Sequence, residues 1–235
     1  MCGRFNMTAD PLTRLFMAMV GQPFAGSDRL NVAPTEFVPV IAAEDGQQRV
    51  AEMRWWLVPH WAKQPSSRYA MFNARAEGLT TSRAFKMPFA RQRAVVPVSG
   101  FYEWLSESGR KVPHYVVADA EDGLLLAGLW DRWSGGREPL KSFALVTTEA
   151  HSQLQWLHHR QPVMLDARAA ERWLAADAAE AELLDLCAPA LPVPLAVTAV
   201  DAKVNNARYK DAACLEPTGP VRHIDRDGEG GRVSS

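Results

Sequence analysis

The chain has 235 residues, of which 47% are hydrophobic and 23% charged, and its 26 Lys and Arg nearly balance 27 Asp and Glu. This composition is typical of a globular protein with enough core to fold alone, and it excludes a mainly disordered chain. The 3 cysteines are far apart and lack CxxC spacing, which excludes a disulfide scaffold and a cysteine zinc site and favours a reducing compartment.

The first predicted element in chain order is an amphipathic helix. Thr8 can cap it, its apolar positions repeat at helical spacing from Leu12 to Met19, and Gly21 ends it. The apolar run at 15–20 is too short for a signal sequence or a membrane span. We therefore expect a soluble, cytoplasmic protein that is not associated with a membrane.

Strands dominate the rest of the predicted domain. Runs bounded by Gly, Pro, Asp or Asn predict strands at 37–42, 49–58, 94–98, 114–118, 124–130, 143–148 and 192–200. Short helices are predicted at 81–85, 152–158, 167–175 and 178–187. Many strands with scattered helices favour an α+β fold over regular βαβ alternation. We expect one domain over residues 1–215 and a disordered tail, rich in Gly and Pro, over 216–235.

Basic and aromatic residues are interleaved between Glu52 and Glu103. Eight Lys or Arg lie in this stretch against the single acid Glu77. Bases for phosphates together with flat rings for nucleobases are typical of a groove for single-stranded nucleic acid. The alternative is that the rings belong to the core and the bases are solvated. The net charge of −1 argues against wholesale coating of nucleic acid.

Cys2 directly follows the initiator methionine. If Met1 is removed, Cys2 carries an amine and a thiol on adjacent carbons, and both groups are reactive near neutral pH. With an aldehyde, the amine forms a Schiff base and the thiol closes on the imine carbon, which gives a five-membered thiazolidine. An internal cysteine cannot form this ring. The alternative is that Cys2 is simply a buried terminal residue.

Three further segments place polar side chains where chemistry could occur. Asn73 and Arg75 share one face of an extended chain, so one can fix a reacting oxygen and the other a phosphate, unless they form a turn. Glu103 lies among large aromatic rings and suits a general acid or base, unless it points to solvent. His158 can transfer protons and Arg160 can bind an anion, unless the histidine only stabilises a helix end.

Together these segments strongly resemble the SRAP family, named for SOS response-associated peptidases. The matching segments follow the family order and include MCGRF at 1–5, NVAPT at 31–35, FNARAEG at 72–78, VPVSGFYEW at 96–104, LHHRQPVML at 157–165 and VTAVDAKVNN at 197–206. Each segment alone is weakly specific, but the whole series is highly specific. The chain departs from the family pattern at Trp56, Gly78 and Gln161, and we expect the first two to reshape the nucleic-acid groove.

The resemblance implies an α+β pseudo-barrel of mixed, mostly antiparallel strands with a few peripheral helices. In this family the N-terminal cysteine captures the ring-opened aldehyde of an abasic site in single-stranded DNA, and the thiazolidine crosslink shields the lesion. Carried over by motif, Cys2 is the covalent residue and Asn73 positions it with the opened sugar. Glu103 assists Schiff-base formation and crosslink reversal, while His158 opens the sugar and shuttles protons.

The resemblance also implies a set of DNA-binding residues. Arg4, Arg75 and Arg160 are expected to bind phosphates that flank the lesion, and Trp104 is expected to stack on a base or wedge beside it. We expect no cofactor and no metal. The two adjacent histidines do not share a helix face, so a metal pair is not expected there. The expected partners are abasic single-stranded DNA, with nucleoid association when bound, and replication-fork proteins. We expect a monomer, since no coiled-coil pattern is present.

Two alternative functions stay open at this point. The first is a cysteine-type peptidase, including self-processing, that uses Cys2 with His158 and Glu103. The second is a non-covalent single-strand-binding module in which Cys2 is incidental. The sequence contains no P-loop, Rossmann glycine fingerprint, HExxH or GxSxG motif, so the corresponding nucleotide, zinc-protease and hydrolase chemistries lack support.

Overall fold

A computed structural model describes residues 2–44, 47–66, 70–119 and 123–226. Its strands are β1 (Arg4–Met7), β2 (Arg29–Val32), β3 (Phe37–Glu44), β4 (Gln47–Trp55), β5 (Asn73–Arg75), β6 (Arg93–Val98), β7 (Gly100–Glu107), β8 (Arg110–Ala118), β9 (Leu124–Trp133), β10 (Leu140–Glu149), β11 (Arg160–Pro162), β12 (Met164–Leu165), β13 (Leu195–Val200) and β14 (Pro217–Ile224). Its α-helices are α1 (Ala9–Val20), α2 (Lys86–Arg91), α3 (Ala167–Leu174) and α4 (Glu180–Asp185).

Five strands close into a barrel of mixed direction. Their order is β10–β4–β3–β6–β9, and β9 pairs back onto β10. The β10–β4 pair is parallel, whereas the other pairs around the barrel are antiparallel. Strands such as β6 and β9 are apolar at consecutive positions because the side chains on both of their faces are buried. The barrel therefore forms the centre of the hydrophobic core.

A second sheet of six antiparallel strands packs against the barrel. Its order is β14–β13–β8–β7–β1–β2. Phe5 of β1 packs on Trp55 of β4 with ring centroids 4.6 Å apart, so the sheet and the barrel share one core. On the sheet, Tyr102, Val204 and Cys214 belong to a smaller apolar cluster that joins β7 to the segment after β13. This sheet brings the N-terminal residues next to residues from the end of the domain.

Helix α1 confirms the first predicted element. Its apolar face buries Leu12 and Phe16, and Gly21 ends it with φ of 67°, in the left-handed region that glycine favours. Thr8 occupies the N-cap position but makes no capping bond. Its hydroxyl lies 2.7 Å from the Ser99 hydroxyl instead, which ties the start of the helix to the chain between β6 and β7.

The seven predicted strands are all present, with ends that differ by a few residues, and the α+β pseudo-barrel is confirmed. The helices predicted at 167–175 and 178–187 are present as α3 and α4. The helix predicted at 81–85 is wrong, because the Ser82 hydroxyl accepts the Ala84 amide in a turn and α2 begins only after it.

The helix predicted at 152–158 is also wrong. Ser152–Leu154 form a 3₁₀ turn and residues 155–157 form further turns before β11 begins. The segment connects β10 to β11, and because Glu149 lies opposite Arg160, the chain has to reverse its direction within it. Long-range strand pairing here outweighs the local helical spacing.

The end of the chain differs from the prediction of a tail that is disordered from residue 216. Strand β14 pairs antiparallel with β13, with Leu195 opposite Ile224 and Val197 opposite Arg222. The pairing covers the edge of β13, and a strand of mostly exposed residues carries too little apolar patterning to be predicted from sequence. Residues 227–235 lie outside the described residues. None of the described helices combines the length and apolar character that a membrane crossing requires.

Candidate functional site

An open cleft of about 690 Å³ lies where the six-stranded sheet meets the barrel. It is lined by Gly3, Arg4, Phe72, Arg75, Glu103, Trp104, Lys111, His158, His159 and Asn205. Five of the eight residues expected at the site therefore line one cavity. Of the other three, Cys2 and Asn73 lie directly beside the cavity. Arg160 instead forms an ion pair with Glu77.

Two walls of the cleft come from different parts of the fold. The sheet supplies the first wall, because β1 pairs with β7 and places Arg4 opposite Tyr102, next to Glu103 and Trp104. The barrel supplies the second wall through strand β10. Its edges pair with β5 and β11, so that Thr147 lies opposite Arg75 on one side and opposite Pro162 on the other. Strand pairing thus brings together segments that are far apart in the sequence.

Cys2 is fully buried next to Gly3, which lines the cleft. Its carbonyl oxygen accepts a hydrogen bond of 2.9 Å from the side-chain nitrogen Nδ2 of Asn73. Its thiol lies 3.8 Å from the carbonyl oxygen of Arg4. Burial, and to a lesser degree the negative charge of Glu103, raise the pKa of the Cys2 thiol well above its ordinary value. The thiol is consequently protonated at neutral pH.

Asn73 confirms the extended geometry predicted for the Asn-Ala-Arg segment, because these residues form β5. The side chain of Asn73 is buried, whereas Arg75, on the same face of the strand, is exposed and lines the cleft. Among the described residues, the Asn73 Oδ1 atom is buried without a hydrogen-bond partner. A buried acceptor beside Cys2 is suited to receive a donor from a bound molecule or from a terminal amine.

Glu103 is only 5% exposed, so the structure places it inside the cleft wall rather than in solvent. Its Oε1 atom accepts a hydrogen bond of 3.1 Å from the backbone amide of Trp104. The carboxylate exerts a charge effect on both Cys2 and His158, which puts all three groups within one electrostatic environment. A carboxylate in such a place can exchange a proton with a neighbouring amine or imidazole.

His158 presents a ring whose Nδ1 atom has two possible partners. Nδ1 lies 3.0 Å from the Arg160 backbone nitrogen, which can only donate, and 3.2 Å from the Arg160 carbonyl oxygen, which can only accept. Each neutral tautomer of His158 therefore finds a partner at Nδ1, and Nε2 can carry a proton or accept one. Burial lowers the pKa of His158, and the charge of Glu103 opposes this shift.

The neighbouring ring of His159 stacks on His158 with centroids 4.2 Å apart. The two rings can meet because the segment is not helical, contrary to the geometry assumed from the sequence. Within the described ranges, no cluster of three His, Cys, Asp or Glu side chains is arranged to hold a metal ion.

Arg160 differs from its expected role at a phosphate. Its guanidinium forms a two-pronged ion pair with Glu77, at 2.9 and 3.1 Å, and also donates to the Thr147 carbonyl oxygen at 2.6 Å. The side chain is 9% exposed and does not line the cleft. The geometry gives Arg160 the role of holding β11 against β10 and against the 3₁₀ turn Ala76–Gly78 that follows β5. It thereby fixes the backbone that positions His158.

Several cleft residues were not among those expected from the sequence. Lys111 reaches the cleft from β8, and no motif singles it out. Asn205 lines it from the VTAVDAKVNN segment, and Asn31 of NVAPT lies outside the lining but accepts a hydrogen bond from Arg4, which does line the cleft. Neither motif suggested a role for these side chains. Trp56, expected to reshape the groove, packs against Phe72 in the cleft lining with ring centroids 5.5 Å apart.

Comparisons with known proteins agree with the geometry. The family model of SOS response associated peptidase (SRAP) matches residues 1–207. Abasic site processing protein YoaM of Bacillus subtilis (strain 168) is 32% identical over 179 residues, which cover 74% of this chain and 79% of that protein. Abasic site processing protein HMCES of Gallus gallus is 30% identical over 201 residues, which cover 74% of this chain and 59% of that protein.

A solved structure supports the fold independently. A protein from Bacteroides thetaiotaomicron aligns with a TM-score of 0.78 at 22% sequence identity, over 92% of this chain and 99% of that one. At this level of identity the likeness concerns the fold alone.

Proposed function

Since the chain belongs to the SOS response associated peptidase (SRAP) family, which includes abasic site processing proteins, we propose that it captures abasic sites in single-stranded DNA as a covalent thiazolidine on Cys2. The single observation that supports this most directly is the environment of Cys2. Its carbonyl is held by Asn73, and Gly3, Glu103 and His158 line the adjoining cleft.

The proposed reaction joins one aldehyde to one aminothiol and releases one water. After removal of Met1, the Cys2 amine adds to the C1′ aldehyde of the opened sugar, and the adduct loses water to form a Schiff base. The thiol sulfur then bonds to the imine carbon while its proton passes to the nitrogen, which closes the thiazolidine ring. No oxidant, reductant or further reactant is needed.

Burial of the thiol favours the amine as the first nucleophile. It raises the pKa of the Cys2 thiol, so the sulfur is a weak nucleophile before the aldehyde is bound. A protonated Schiff base then places a positive charge next to the sulfur. Because an adjacent opposite charge favours the thiolate, the protonated Schiff base activates the thiol for ring closure.

Three neighbouring side chains support the proton movements. Asn73 holds the Cys2 backbone and offers its unpartnered Oδ1 to the amine or to a hydroxyl of the opened sugar. Glu103 takes a proton from the amine and returns it to the departing water. His158 exchanges a proton through Nε2 as the sugar ring opens, because both of its neutral tautomers are satisfied at Nδ1.

The cleft also has the chemistry of a single-strand-binding surface. Arg4, Arg75 and Lys111 line it with positive charge, and Trp104 adds a partly exposed ring. Basic side chains bind backbone phosphates, and each base stacked on an aromatic ring contributes roughly 1–3 kcal/mol. Arg160 does not line this surface, but its ion pair with Glu77 holds the neighbouring strand β11 in position.

A cysteine peptidase fits the same residues less well. Such an enzyme needs a thiolate nucleophile, which is normally produced by lowering the cysteine pKa next to a histidine. Here burial raises the pKa of Cys2, and the nearby carboxylate of Glu103 raises it further. A buried thiol with a raised pKa favours aldehyde capture that begins at the amine over peptide hydrolysis.

Intact mass spectrometry of the purified full chain tests the proposal. The protein is measured alone and after mixing with a single-stranded oligonucleotide that carries one abasic site. We expect loss of Met1 and an adduct of protein plus oligonucleotide minus one water that survives heating. Cys2→Ala should give no stable adduct, and Cys2→Ser should give only a labile one, because an oxygen ring hydrolyses more readily.

The matched control is Cys187→Ala, which removes a buried cysteine that lies outside the cleft and should leave the adduct unchanged. A mature wild-type protein that forms no adduct with a verified aldehyde would overturn the crosslinking mechanism. Hydrolysis of peptides without DNA would favour the peptidase, and equal binding of intact and abasic strands without an adduct would favour a simple binding module.

A further inference from the structure

Asn31, the first residue of the NVAPT motif, uses all of its polar groups although it touches no reacting atom. It is fully buried and has a φ of 51°, in the left-handed region that asparagine tolerates better than most residues. Its backbone nitrogen donates to Asn6 Oδ1 at 2.7 Å, and its carbonyl oxygen accepts from Lys210 Nζ at 2.8 Å. These bonds fix the residue between β1 and the end of the domain.

The side chain of Asn31 joins Arg4 to the segment 204–209. Oδ1 accepts a hydrogen bond of 2.8 Å from Arg4 Nη1. Nδ2 lies 3.0 to 3.1 Å from three carbonyl oxygens, those of Val204, Asn206 and Tyr209. An amide nitrogen has two hydrogens, so these three acceptors share them. One buried amide thus gathers a loop that has little regular secondary structure.

That loop in turn fixes two side chains of the sheet wall that line the cleft, Arg4 and Trp104. Arg4 Nη1 also donates to the Val204 carbonyl at 2.9 Å, and Nη2 lies 3.4 Å from the Asn205 carbonyl. Trp104 Nε1 donates to Asn205 Oδ1 at 2.6 Å. The Arg4 guanidinium is 6.0 Å from the Trp104 ring. Among the described residues, these bonds take three of the five Arg4 donors and leave two for a phosphate.

We propose that Asn31 is a positioning residue for single-stranded DNA, acting on Arg4 directly and on Trp104 through the segment 204–209. The inference rests on the proposed function, since it concerns the same cleft. Removing the Asn31 side chain keeps the Arg4 guanidinium and the Trp104 indole in the protein, but it removes the hydrogen bonds that orient them. A planar ring and a forked cation lose most of their benefit when they are no longer held in register with the strand.

The test is a double-mutant cycle on non-covalent binding. Asn31→Gly, Arg4→Ala and the double variant are made in a Cys2→Ala background, and the Kd for an intact single-stranded oligonucleotide is measured. Glycine tolerates the positive φ, so Asn31→Gly removes the side chain without adding backbone strain. Thr35→Gly is the matched control, because Thr35 also has a positive φ, of 87°, but is exposed and lies outside the cleft lining.

We expect Asn31→Gly and Arg4→Ala each to weaken binding by about tenfold, and the double variant to lose clearly less than the hundredfold that independent effects would give, because only the part of the Asn31 effect that passes through Trp104 remains without Arg4. Such non-additivity shows that Asn31 acts through Arg4, which general destabilisation does not produce. Additive effects, or an Asn31→Gly protein that binds like Thr35→Gly, would overturn the proposal.

A second variant keeps the proposal testable if Asn31→Gly fails to fold. Asn31→Asp keeps the acceptor for Arg4 but turns an oxygen toward three carbonyl oxygens, so it should release the 204–209 segment alone. Hydrogen exchange should then accelerate in residues 204–209 and not in the barrel, and binding should weaken less than in Asn31→Gly. Unchanged exchange in that segment would contradict the proposal.

Crosslinking is measured separately on proteins that retain Cys2. If the wild-type protein binds single strands without forming an adduct, the proposed covalent function fails, and the cycle still decides the role of Asn31. If the adduct forms and the cycle is additive, only the inference about Asn31 fails. Absence of measurable binding by the Cys2→Ala protein would overturn the inference about Asn31, and the adduct measurement alone would still decide the proposed function.

Discussion

The barrel and the six-stranded sheet are stabilised in different ways, although each supplies one wall of the cleft. In the barrel, closure removes free strand edges, and large side chains such as Trp55 and Phe143 pack face to face with centroids 6.4 Å apart. The sheet depends more on buried polar contacts, for example Asn6 Nδ2 donating to the Tyr102 hydroxyl at 2.9 Å.

This difference assigns the stability of the fold mainly to the barrel and the exact orientation of the cleft side chains mainly to the sheet. Apolar packing has no directional requirement, so the barrel can provide most of the folding free energy and a rigid support for β5 and β11. Hydrogen bonds are directional, so the sheet can hold a guanidinium, an indole and the Cys2 segment at defined angles. We therefore expect barrel substitutions to change unfolding and sheet substitutions to change binding or reaction.

The largest effect on stability should come from Phe143→Ala in the barrel. Phe143 is fully buried, so its loss leaves a cavity that costs about 3–5 kcal/mol in the free energy of unfolding. Trp104→Ala on the sheet is the comparison, because this ring is only partly buried and should cost much less stability while weakening DNA binding. Denaturant unfolding monitored by circular dichroism measures both variants. Equal losses of stability would remove the distinction between the two walls.

The next largest effect should come from Asn73→Ala. Because Asn73 holds the Cys2 carbonyl, its loss should slow crosslinking by about 100-fold at saturating DNA, as expected for a misplaced reacting group. Binding of intact single strands should be unchanged, and Asn73→Asp, which lacks the same N–H donor, should behave similarly. Single-turnover crosslinking gives the rate. A normal rate in both variants would show that Asn73 does not position Cys2.

A smaller effect should come from Glu77→Gln. The hydrogen bonds from Arg160 hold the pKa of Glu77 below its ordinary value, so the pair stabilises the fold above the unfolded pKa of a glutamate. That stabilisation is lost as the pH falls through the lowered, folded pKa. Since Glu77 is about half exposed, solvent screening reduces the contribution to about 1 kcal/mol.

Denaturant unfolding of wild type and Glu77→Gln from neutral to acidic pH tests this pair. We expect the two proteins to differ at neutral pH and to converge once the wild-type carboxylate is protonated. A stability difference that persists at low pH would mean that the substitution acts through packing rather than through the ion pair.

The smallest effect should come from Lys111→Ala. Lys111 is exposed at the cleft, so its loss should weaken single-strand binding only a few-fold and lower the slope of log K against log salt by about 0.7, the value for one phosphate on a single strand. Lys86→Ala, at an exposed lysine outside the cleft lining, should leave the slope unchanged. Identical slopes for the two variants would exclude a phosphate contact at Lys111.

The sequence predicted the barrel better than the sheet for a physical reason. Barrel strands such as β6 and β9 are continuous apolar runs, and local composition records them directly. Strands β1, β2 and β14 are short or mostly polar, and they exist because a distant partner pairs with them. The predicted helix at 152–158 failed for a related reason, since this segment has to turn the chain between β10 and its paired strand β11.

The candidate site shows the same limit. Residue type and motif were enough to single out Cys2, Glu103 and His158, which the fold brings together. They were not enough to reveal that Arg160 is paired with Glu77, because that contact joins residues 83 positions apart and both charges look free in a linear sequence. Nor could they assign a role to Asn31, whose importance depends on carbonyl groups that every residue possesses.

The pairing of Arg4 with Val204 also has a consequence for how the protein is made. The two residues are 200 positions apart, so loop-closure entropy makes this among the later contacts to form in a folding chain. During synthesis the N-terminal residues emerge first, and the barrel can fold before residues 204–209 exist. The cleft wall beside Cys2 is therefore completed only when nearly the whole domain has left the ribosome, and a prematurely terminated chain would keep its cysteine without the contacts that hold Arg4 and Trp104.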